Sequence, residues 1–396
     1  MKVFDNKHVQ LHQSNASELP VDDESIDCVV TSPPYWGLRD YGVDEQIGLE
    51  STPEKYVENM VNVFREIKRV LKSSGTVWLN LGDSYSSFKD QSVKTQTLSG
   101  KSRDEPPKGK ASNRNGAALS KSGLKNKDLV GIPWMVAFAL RADGWYLRSD
   151  IIWNKPNPMP ESVKDRPTKS HEYIFLLTKS PTYYYDADAI REPHTYEESK
   201  PRPSGMVREA QKYRDKVYGG SGTGFQGHSG SLKADGTPLN HPLGRNKRSV
   251  WTVNTHPYPD AHFATFPEKL VEPCILAGTS EKGVCAKCGK PWERVVEREP
   301  MQIKRTHNHP EYLRTRTSGT MTRPPSSKFL GWQPTCECNA DIVPSTVLDP
   351  FVGSGTTLAV AQRLGRNGIG TDISSEYLKL ASKRLEKVAL PMMLNI

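Results

Sequence analysis

The sequence predicts an open α/β fold on a mostly parallel sheet, in which two distant motifs lie at one sheet edge. The apolar run Ile26–Val30 has the pattern of a short buried strand, and two prolines in the turn Thr31–Trp36 end it. Residues Ser345–Leu348 have the pattern of a second strand, and a glycine-rich turn over Asp349–Thr357 leads from it into a helix. Strand, glycine turn and helix form a nucleotide-binding unit, so the predicted sheet is Rossmann-like.

The remaining elements follow from apolar runs along the chain. Helical spacing marks Leu358–Leu364 and Leu270–Gly278, and core elements resume at Ser249–Val253 after a polar stretch. Open α/β sheets bind ligands at the carboxyl ends of their strands, so both motifs are expected there. The predicted strands are Asp27–Thr31, Thr76–Asn80, Asp150–Trp153, Tyr173–Leu177, Thr346–Leu348 and Gly368–Thr371.

The turn after the first strand has the composition of a receptacle for a flat ring that carries an amino group. Ser32 brings a hydroxyl, and Pro33 and Pro34 bring carbonyls on a backbone without N–H donors. Tyr35 and Trp36 bring aromatic faces. The plain alternative is a proline-rich surface turn, and the second motif favours the binding site.

The glycine turn and the strand after it indicate a nucleoside-type cofactor. No lysine follows Gly355 and position 358 is leucine, so the turn is neither a P-loop nor a complete G-x-G-x-x-G motif. Asp372 ends the next strand, 17 residues beyond Gly355, near the offset of an acid that binds ribose hydroxyls. The candidate cofactor residues are Asp349, Phe351, Gly353, Ser354, Gly355, Thr356 and Asp372.

Together these residues resemble the DNA amino-methyltransferases that use S-adenosylmethionine (AdoMet), in the permuted β class, where the catalytic motif precedes the AdoMet motif. Their Ser-Pro-Pro-Tyr form is similar to that of the N4-cytosine enzymes, whereas N6-adenine enzymes more often carry Asp-Pro-Pro-Tyr. The resemblance extends to the segments Val70–Asp83, Gly144–Pro158, His171–Leu177 and Phe263–Leu270.

The resemblance also implies roles for residues outside the two motifs. The segment with Phe266, Pro267 and Lys269 leads into the AdoMet pocket of the family. Where relatives carry Gly-Asp, this chain has Ser14-Asn15, and Asn15 is expected to accept a hydrogen bond from the adenine amino group of AdoMet.

The activity that the resemblance implies is methyl transfer to the N4 amine of a flipped-out cytosine. Ser32 Oγ and the carbonyl of Pro33 or Pro34 would accept the two amine protons, while Tyr35, with Trp36, stacks on the base. An N6-adenine DNA methyltransferase and a non-catalytic, AdoMet-sensing nucleic-acid-binding protein remain as alternatives. Covalent C5 methylation is disfavoured, because no glutamine follows Pro273-Cys274 in its helix-like stretch.

Composition favours a polyanionic partner. The 396 residues carry a formal net charge of +9, which suits contacts with phosphates. We therefore expect double-stranded DNA as partner, and a cognate restriction endonuclease is a candidate second partner. No apolar run has the length of a membrane helix and no signal-peptide core follows Met1, so a cytoplasmic protein is expected. The predicted DNA-facing residues are Trp153, Lys155, Asn157, Arg166 and His171.

Four of the six cysteines predict a structural zinc site. Cys285 and Cys288 form a C-x-x-C-G knuckle, and Cys336 and Cys338 form a close second pair 48 positions later. A redox pair or unliganded surface cysteines are the alternatives, and Cys28 and Cys274 are expected in the core. Basic residues of this module expected to face DNA are Arg294, Arg298, Lys304, Arg305, Arg314, Arg316 and Arg323.

Polar stretches divide the predicted catalytic domain into separated parts. The basic stretch 88–128 is expected to be a flexible insertion, either plainly solvated or a flap that orders on DNA. Glycines at Gly219–Gly224 lie in no strand–helix context and are assigned to a loop. The predicted segments are 1–87, 129–190, 249–280 and 341–396 for the catalytic domain, 88–128 for the insertion, 191–248 for a polar loop or target-recognition region, and 281–340 for the cysteine module.

Overall fold

The structure is a computed structural model of the chain. It describes residues 1–86 apart from Arg39, Tyr41 and Asp44, and then 124–193, 244–255, 266–299, 302–304, 320–323 and 326–388. Several expectations lie outside the described residues or side chains: most of the insertion 88–128, the stretch 194–243 with its glycines, Phe263, and the basic side chains of the cysteine module other than Arg294.

The described chain separates into two compact units. The first comprises residues 1–189, 248–293 and 334–396, and the second comprises 190–247 and 294–333. The strands in chain order are β1 Lys2–Asp5, β2 Val9–Gln13, β3 Ile26–Thr31, β4 Leu71–Leu81, β5 Tyr146–Asn154, β6 His171–Thr178, β7 Val250–Thr252, β8 Val284–Cys285, β9 Trp292–Glu299, β10 Gln302–Lys304, β11 Thr320–Arg323, β12 Ser326–Pro334, β13 Ile342–Val343, β14 Thr346–Asp349 and β15 Asn367–Asp372. In the second unit, β9 pairs with β12 and β10 pairs with β11.

A nine-stranded sheet in the order β1-β2-β15-β14-β3-β4-β6-β5-β7 forms the first unit. Strands β2, β15, β14, β3 and β4 run parallel, β1 and β6 lie antiparallel to their neighbours, and β7 is parallel to β5. The predicted mostly parallel sheet is therefore confirmed. All six predicted strands are present, and the hairpin β1–β2 is an addition, because its short first strand is mostly exposed and lacks an apolar run.

The central strands are apolar because the sheet interior is buried. Every residue of β3 is buried, as expected for a parallel strand with neighbours on both sides. Helix α1 packs Tyr56, Met60 and Phe64 into the same core cluster, and Thr52 caps its first turn. The helices are α1 Pro53–Val70, α2 Ile132–Ala142, α3 Glu268–Gly278, α4 Thr356–Arg363 and α5 Ser375–Glu386.

Both predicted helices are confirmed as α3 and α4. Gly131 is the N-cap residue of helix α2, and its N–H donates to the carboxylate of Asp83, which lies soon after β4. Among the described residues, no helix is both long and apolar enough to cross a membrane.

Candidate active site

Three parallel strands end at one edge of the nine-stranded sheet. β3 ends at Thr31, β14 ends at Asp349 and β15 ends at Asp372. β14 lies between the other two, and Leu348 is in register with Val29. The proline turn and the glycine turn therefore leave neighbouring strands at the same edge, as the sequence predicts.

The proline turn presents two acceptors. The phenol of Tyr56 donates to the Pro34 carbonyl at 2.9 Å. No donor to the Pro33 carbonyl occurs among the residues that the structure describes. The sequence analysis left open which proline carbonyl accepts a hydrogen bond from the target amine. Because Tyr56 already engages one of the two lone pairs of the Pro34 carbonyl, the Pro33 carbonyl is the less engaged acceptor beside Ser32 Oγ.

Tyr35 is held by its hydroxyl. This oxygen lies 2.8 Å from Glu172 Oε2, 3.2 Å from Asn80 Oδ1 and 3.4 Å from Ser32 Oγ. Its half-buried ring packs on the core, and a Cβ on Gly82 would lie 2.6 Å from Tyr35 Cε2. Burial, followed by the charge of Glu172, raises the pKa of Tyr35 well above its ordinary value of 10. The phenol therefore keeps its proton at neutral pH.

Glu172 and Asn80 are site residues that the sequence analysis did not identify. Lys155 forms an ion pair with Glu172, and Asn80 Nδ2 donates to Glu172 at 3.2 Å and to the Tyr173 carbonyl at 3.1 Å. Because β6 is antiparallel to β4, it begins at the edge where β4 ends, and this brings Glu172 beside Tyr35. The signals in the sequence were the position of Glu172 just before a predicted strand and the inclusion of both residues in segments that resemble the family.

Trp36 was expected to stack on the target base, and the structure contradicts this. Its side chain is 2% exposed, it belongs to the core cluster, and its indole N–H donates to the Glu50 carbonyl at 2.9 Å. A buried ring offers no face to a base. Of the two aromatic residues expected to stack, only Tyr35 remains a candidate.

Asp349 joins the two motifs. Its carboxylate accepts hydrogen bonds from Thr31 Oγ1 at 2.7 Å, Thr357 Oγ1 at 2.8 Å and the Phe351 N–H at 3.2 Å. The residue is 1% exposed, and burial raises its pKa to about 6. Asp349 was expected to bind the cofactor, but in this structure it has internal partners on both oxygens and connects the glycine turn to the residue before Ser32.

The glycine turn is an open cradle whose shape Asp372 fixes. Gly353 and Gly355 have φ values of +48° and +79°, which glycine adopts without strain. Asp372 accepts from the Gly353 N–H at 3.0 Å and the Ser374 N–H at 2.9 Å, and burial raises its pKa to about 6. A Cβ on Gly353 would meet no atom closer than 3.9 Å, so a ligand has room beside this backbone.

The hydroxyls of the glycine turn are bound inside the protein. Arg384 Nη1 lies 3.3 Å from Ser354 Oγ and 2.9 Å from Thr356 Oγ1, and both side chains are buried. Arg384 also pairs with Glu268, which begins α3 and forms a second ion pair with Arg363. A cofactor in the turn would therefore contact the backbone of Ser354 and Thr356 and not their hydroxyls.

Phe266, Pro267 and Lys269 surround Glu268 in the chain and so lie beside its ion pair with Arg384. Pro267 is buried and precedes the first residue of α3, Phe266 is half-buried, and Lys269 is exposed. Their neighbour Glu268, which the sequence analysis did not identify, connects this segment to the glycine turn through Arg384.

Asn15 lies beside the end of β15 but cannot accept as predicted. The Ser14 N–H donates to the Asp372 carbonyl at 3.2 Å, which places Asn15 near the sheet edge where β15 ends. Its Oδ1 accepts from the N–H and the hydroxyl of Ser17 at 3.1 and 3.0 Å. Both lone pairs of this oxygen are used, so Asn15 has only its amide N–H groups to offer a ligand.

The predicted DNA-facing residues lie at the end of β5, in the loop after it and at the start of β6. Trp153 corrects an expectation, because it is 3% exposed, with Lys155 Nζ 4.2 Å from its ring. Lys155 is also engaged, through its ion pair with Glu172. His171, which pairs with Asn154 across β5 and β6, is half-buried.

Asn157 and Arg166 organise the same loop. The Asn157 side chain accepts from the Thr255 N–H at 3.0 Å. Arg166 pairs with Glu161 at 2.7 Å and lies 3.7 Å above the Tyr85 ring. These contacts give the loop a defined shape, and DNA contact by its side chains stays a prediction.

Four cysteines form a cluster with the composition of a structural metal site. The Sγ atoms of Cys285, Cys288, Cys336 and Cys338 all lie within 4.8 Å of one another. Zinc–sulfur bonds of about 2.3 Å in a tetrahedron place sulfurs ~3.8 Å apart, which this cluster approaches. Gly289, at φ +69°, donates its N–H to the Cys285 carbonyl at 2.8 Å, so the knuckle turn is formed.

Cys28 and Cys274 are core residues, as predicted. Both are buried, and burial raises the pKa of Cys28 to about 12. Cys274 lies inside α3 with its thiol 3.3 Å from the Leu270 carbonyl. A buried thiol within a helix has no access to a base, which agrees with the rejection of C5 chemistry.

Comparison with known proteins identifies the family. The profile of the N6/N4 methyltransferase family, described as DNA methylase, matches residues 26–286 and 342–383. Type II methyltransferase M.Cfr9I of Citrobacter freundii is 38% identical over 366 residues, covering 91% of this chain and 82% of the relative. Type II methyltransferase M.SmaI of Serratia marcescens is also 38% identical over 366 residues, covering 92% and 86%.

A solved structure agrees on the fold. The PvuII cytosine-N4-specific DNA methyltransferase has a TM-score of 0.50 at 15% identity, covering 96% of this chain and 86% of that one. On the extent of the family match and the identity to its relatives, this chain belongs to the N6/N4 family of AdoMet-dependent DNA methyltransferases.

Proposed function

We propose that this chain is a β-class enzyme of the Ser-Pro-Pro-Tyr type that methylates the N4 amine of cytosine in DNA. The observation that carries the proposal is the acceptor pair, Ser32 Oγ and the Pro33 carbonyl, at the sheet edge next to the glycine turn. An exocyclic amine is a poor nucleophile, because its lone pair is delocalised into the ring. Two acceptors on its protons favour a pyramidal nitrogen with a localised lone pair.

The residues at the edge would then act by position and electrostatics. Bound AdoMet supplies a methyl group on a positively charged sulfur. Ser32 and Pro33 orient the amine so that its lone pair faces that methyl group, and Tyr35 stacks on the flipped base. After transfer, the nitrogen returns to neutrality by releasing one proton, so no strong base is required.

The cofactor site of the proposal is the cradle between Gly353 and Asp372. The Asp372 carboxylate is assigned to the ribose hydroxyls, and the open backbone at Gly353 to close approach of the ligand. Phe351, Phe266, Pro267 and Lys269 complete the proposed pocket, and Asn15 contributes amide donors.

Identification of the methylated nucleoside tests the proposal. DNA incubated with the protein and isotopically labelled AdoMet is digested to nucleosides and analysed by mass spectrometry. We expect labelled 4-methyldeoxycytidine, and Ser32→Ala as the matched control should lose it. Labelled 6-methyldeoxyadenosine would replace the cytosine assignment by the adenine alternative, and the absence of any labelled nucleoside would contradict catalysis.

We also propose that the cysteine cluster holds one structural zinc ion. Four thiolates in two close pairs form a closed site without an open position for substrate. The site joins the chain segments that precede and follow residues 294–333. Within that stretch, Arg294 lies 4.5 Å from the Trp332 ring.

Metal analysis of the purified protein tests the zinc site. We expect one zinc per chain, and loss of that zinc in the double variant Cys288→Ser, Cys336→Ser. Cys274→Ser is the matched control, because its thiol lies outside the cluster and serine can make the same bond to the Leu270 carbonyl. A chain without stoichiometric zinc, or a double variant that retains it, would contradict the assignment.

A further inference from the structure

The side chains of Ser32, Tyr35 and Glu172 form a chain of hydrogen bonds that runs from the predicted methyl-acceptor site to a carboxylate. Ser32 Oγ lies 3.4 Å from the Tyr35 hydroxyl, and that hydroxyl lies 2.8 Å from Glu172 Oε2. The first contact is long compared with a usual O–H···O bond of about 2.7–2.8 Å. Catalytic hydrogen bonds in ligand-free sites are often long and shorten when the substrate binds.

The carboxylate of Glu172 at one end of this chain determines which group donates in each hydrogen bond. An ionised carboxylate only accepts, so the Tyr35 O–H donates to Glu172. Asn80 Oδ1, at 3.2 Å, is the other acceptor in reach of that proton. With its proton directed away from Ser32, the Tyr35 oxygen can only accept from Ser32. The Ser32 proton then points to Tyr35, and both lone pairs of Ser32 Oγ remain for the target amine.

Glu172 is itself fixed in place. Lys155 pairs with one carboxylate oxygen and Asn80 Nδ2 donates to the other, while the second Asn80 N–H is held by the Tyr173 carbonyl. Lys155 and Glu172 are both largely buried, with side-chain exposures of 18% and 16%. The ion pair therefore holds the Glu172 carboxylate in one position at this site.

The direction of the Ser32 hydroxyl matters for amine chemistry. A serine hydroxyl that is free to rotate can donate to the amine nitrogen and occupy the lone pair that attacks the methyl group. A hydroxyl committed to Tyr35 can only accept from the amine.

We propose that Glu172, through Tyr35, is a positioning residue that keeps Ser32 an acceptor. This inference rests on the proposed role of Ser32. In this proposal the Tyr35 hydroxyl orients Ser32, in addition to the stacking of the Tyr35 ring on the base. The Lys155–Glu172 pair in turn orients the Tyr35 hydroxyl. No proton is transferred along the chain.

A double-mutant cycle tests the proposal, with single-turnover methyl transfer at saturating DNA and AdoMet as the readout. Tyr35→Phe keeps the ring, so stacking is retained, and the loss of one hydrogen bond should lower the rate about tenfold. Ser32→Ala should lower it roughly 10²-fold. In the Ser32→Ala background, Tyr35→Phe should have no further effect. Glu172→Gln should behave as Tyr35→Phe does, with an unchanged AdoMet dissociation constant.

Tyr183→Phe is the matched control, because it removes a tyrosine hydroxyl whose partner is Arg148, away from the site. It should leave the rate unchanged. If Tyr35→Phe slows transfer by the same factor with and without Ser32, the positioning role is wrong. If Ser32→Ala keeps the full rate, the proposed function itself fails, and the two outcomes are therefore distinguishable.

Discussion

At the scale of the residue, the site depends on which groups carry protons. Burial raises the pKa values of Asp349 and Asp372 to about 6, while Tyr35 stays protonated. Two carboxylates at the ends of β14 and β15 thus titrate just below neutral pH. Hydrogen bonds from backbone N–H groups and hydroxyls oppose the shift without cancelling it.

Weaker AdoMet binding at acidic pH follows from Asp372. In the proposed pocket the ionised Asp372 carboxylate is assigned to the ribose hydroxyls, and protonation through a pKa of about 6 removes its charge. Between pH 7.5 and pH 5, we expect the AdoMet dissociation constant to rise about tenfold, since one pH unit below the pKa is a factor of ten. Isothermal titration calorimetry measures it. Asp372→Asn should bind weakly without this pH dependence, and an equal slope in the variant would contradict the assignment.

At the scale of the element, neighbouring strands are coupled by a few side chains at their ends. Asp349, at the end of β14, accepts a hydrogen bond from Thr31, at the end of β3. Glu268, at the start of α3, pairs with Arg384 in α5, which reaches Ser354 and Thr356 in the glycine turn. The bond between Thr31 and Asp349 therefore links the proline turn to the glycine turn, and the Glu268–Arg384 pair fixes the glycine turn.

Thr31→Val tests the link between β3 and β14. It leaves a buried carboxylate oxygen with one donor fewer, which should lower the free energy of unfolding by about 1–3 kcal/mol at pH 7.5. Because burial raises the Asp349 pKa from 3.8 to about 6, this group's contribution to stability is fully present below pH 3.8 and is lost as the pH rises through 6. The penalty of Thr31→Val should therefore be smaller at pH 5.

Urea unfolding at both pH values measures the effect, and Thr31→Ser, which keeps the hydroxyl, is the control. An equal loss in Thr31→Ser and Thr31→Val would show that the hydrogen bond to Asp349 is not the cause.

At the scale of the whole molecule, the sequence was enough for the sheet and for the two turns, because strong apolar runs and proline and glycine punctuation are local signals. It could not show that β6 runs antiparallel to β4, and so Glu172 and Asn80 were missed. Burial of Trp36 and Trp153 was missed for a related reason, since side-chain exposure depends on elements distant in sequence. The Oδ1 bonds of Asn15 depend on a local turn that its sequence did not reveal.

The net charge of +9 leads to a prediction about salt. Affinity for a DNA duplex without a specific site should fall steeply with salt, because phosphate contacts release counterions, whereas AdoMet affinity should change little. Fluorescence anisotropy with labelled duplex across a salt series measures the first, and calorimetry the second. A DNA affinity that is flat in salt would contradict recognition of the phosphate backbone by basic residues.

In the proposed site, the proline turn accepts the target amine and the glycine turn binds AdoMet at the same sheet edge. Methyl transfer and AdoMet binding, measured side by side in Ser32→Ala and Asp372→Ala, separate these two roles. Ser32→Ala should lose roughly 10²-fold in single-turnover rate with an unchanged AdoMet dissociation constant, and Asp372→Ala should raise that constant. Full methyl transfer by Ser32→Ala, or unaltered AdoMet binding by Asp372→Ala, would contradict the claim.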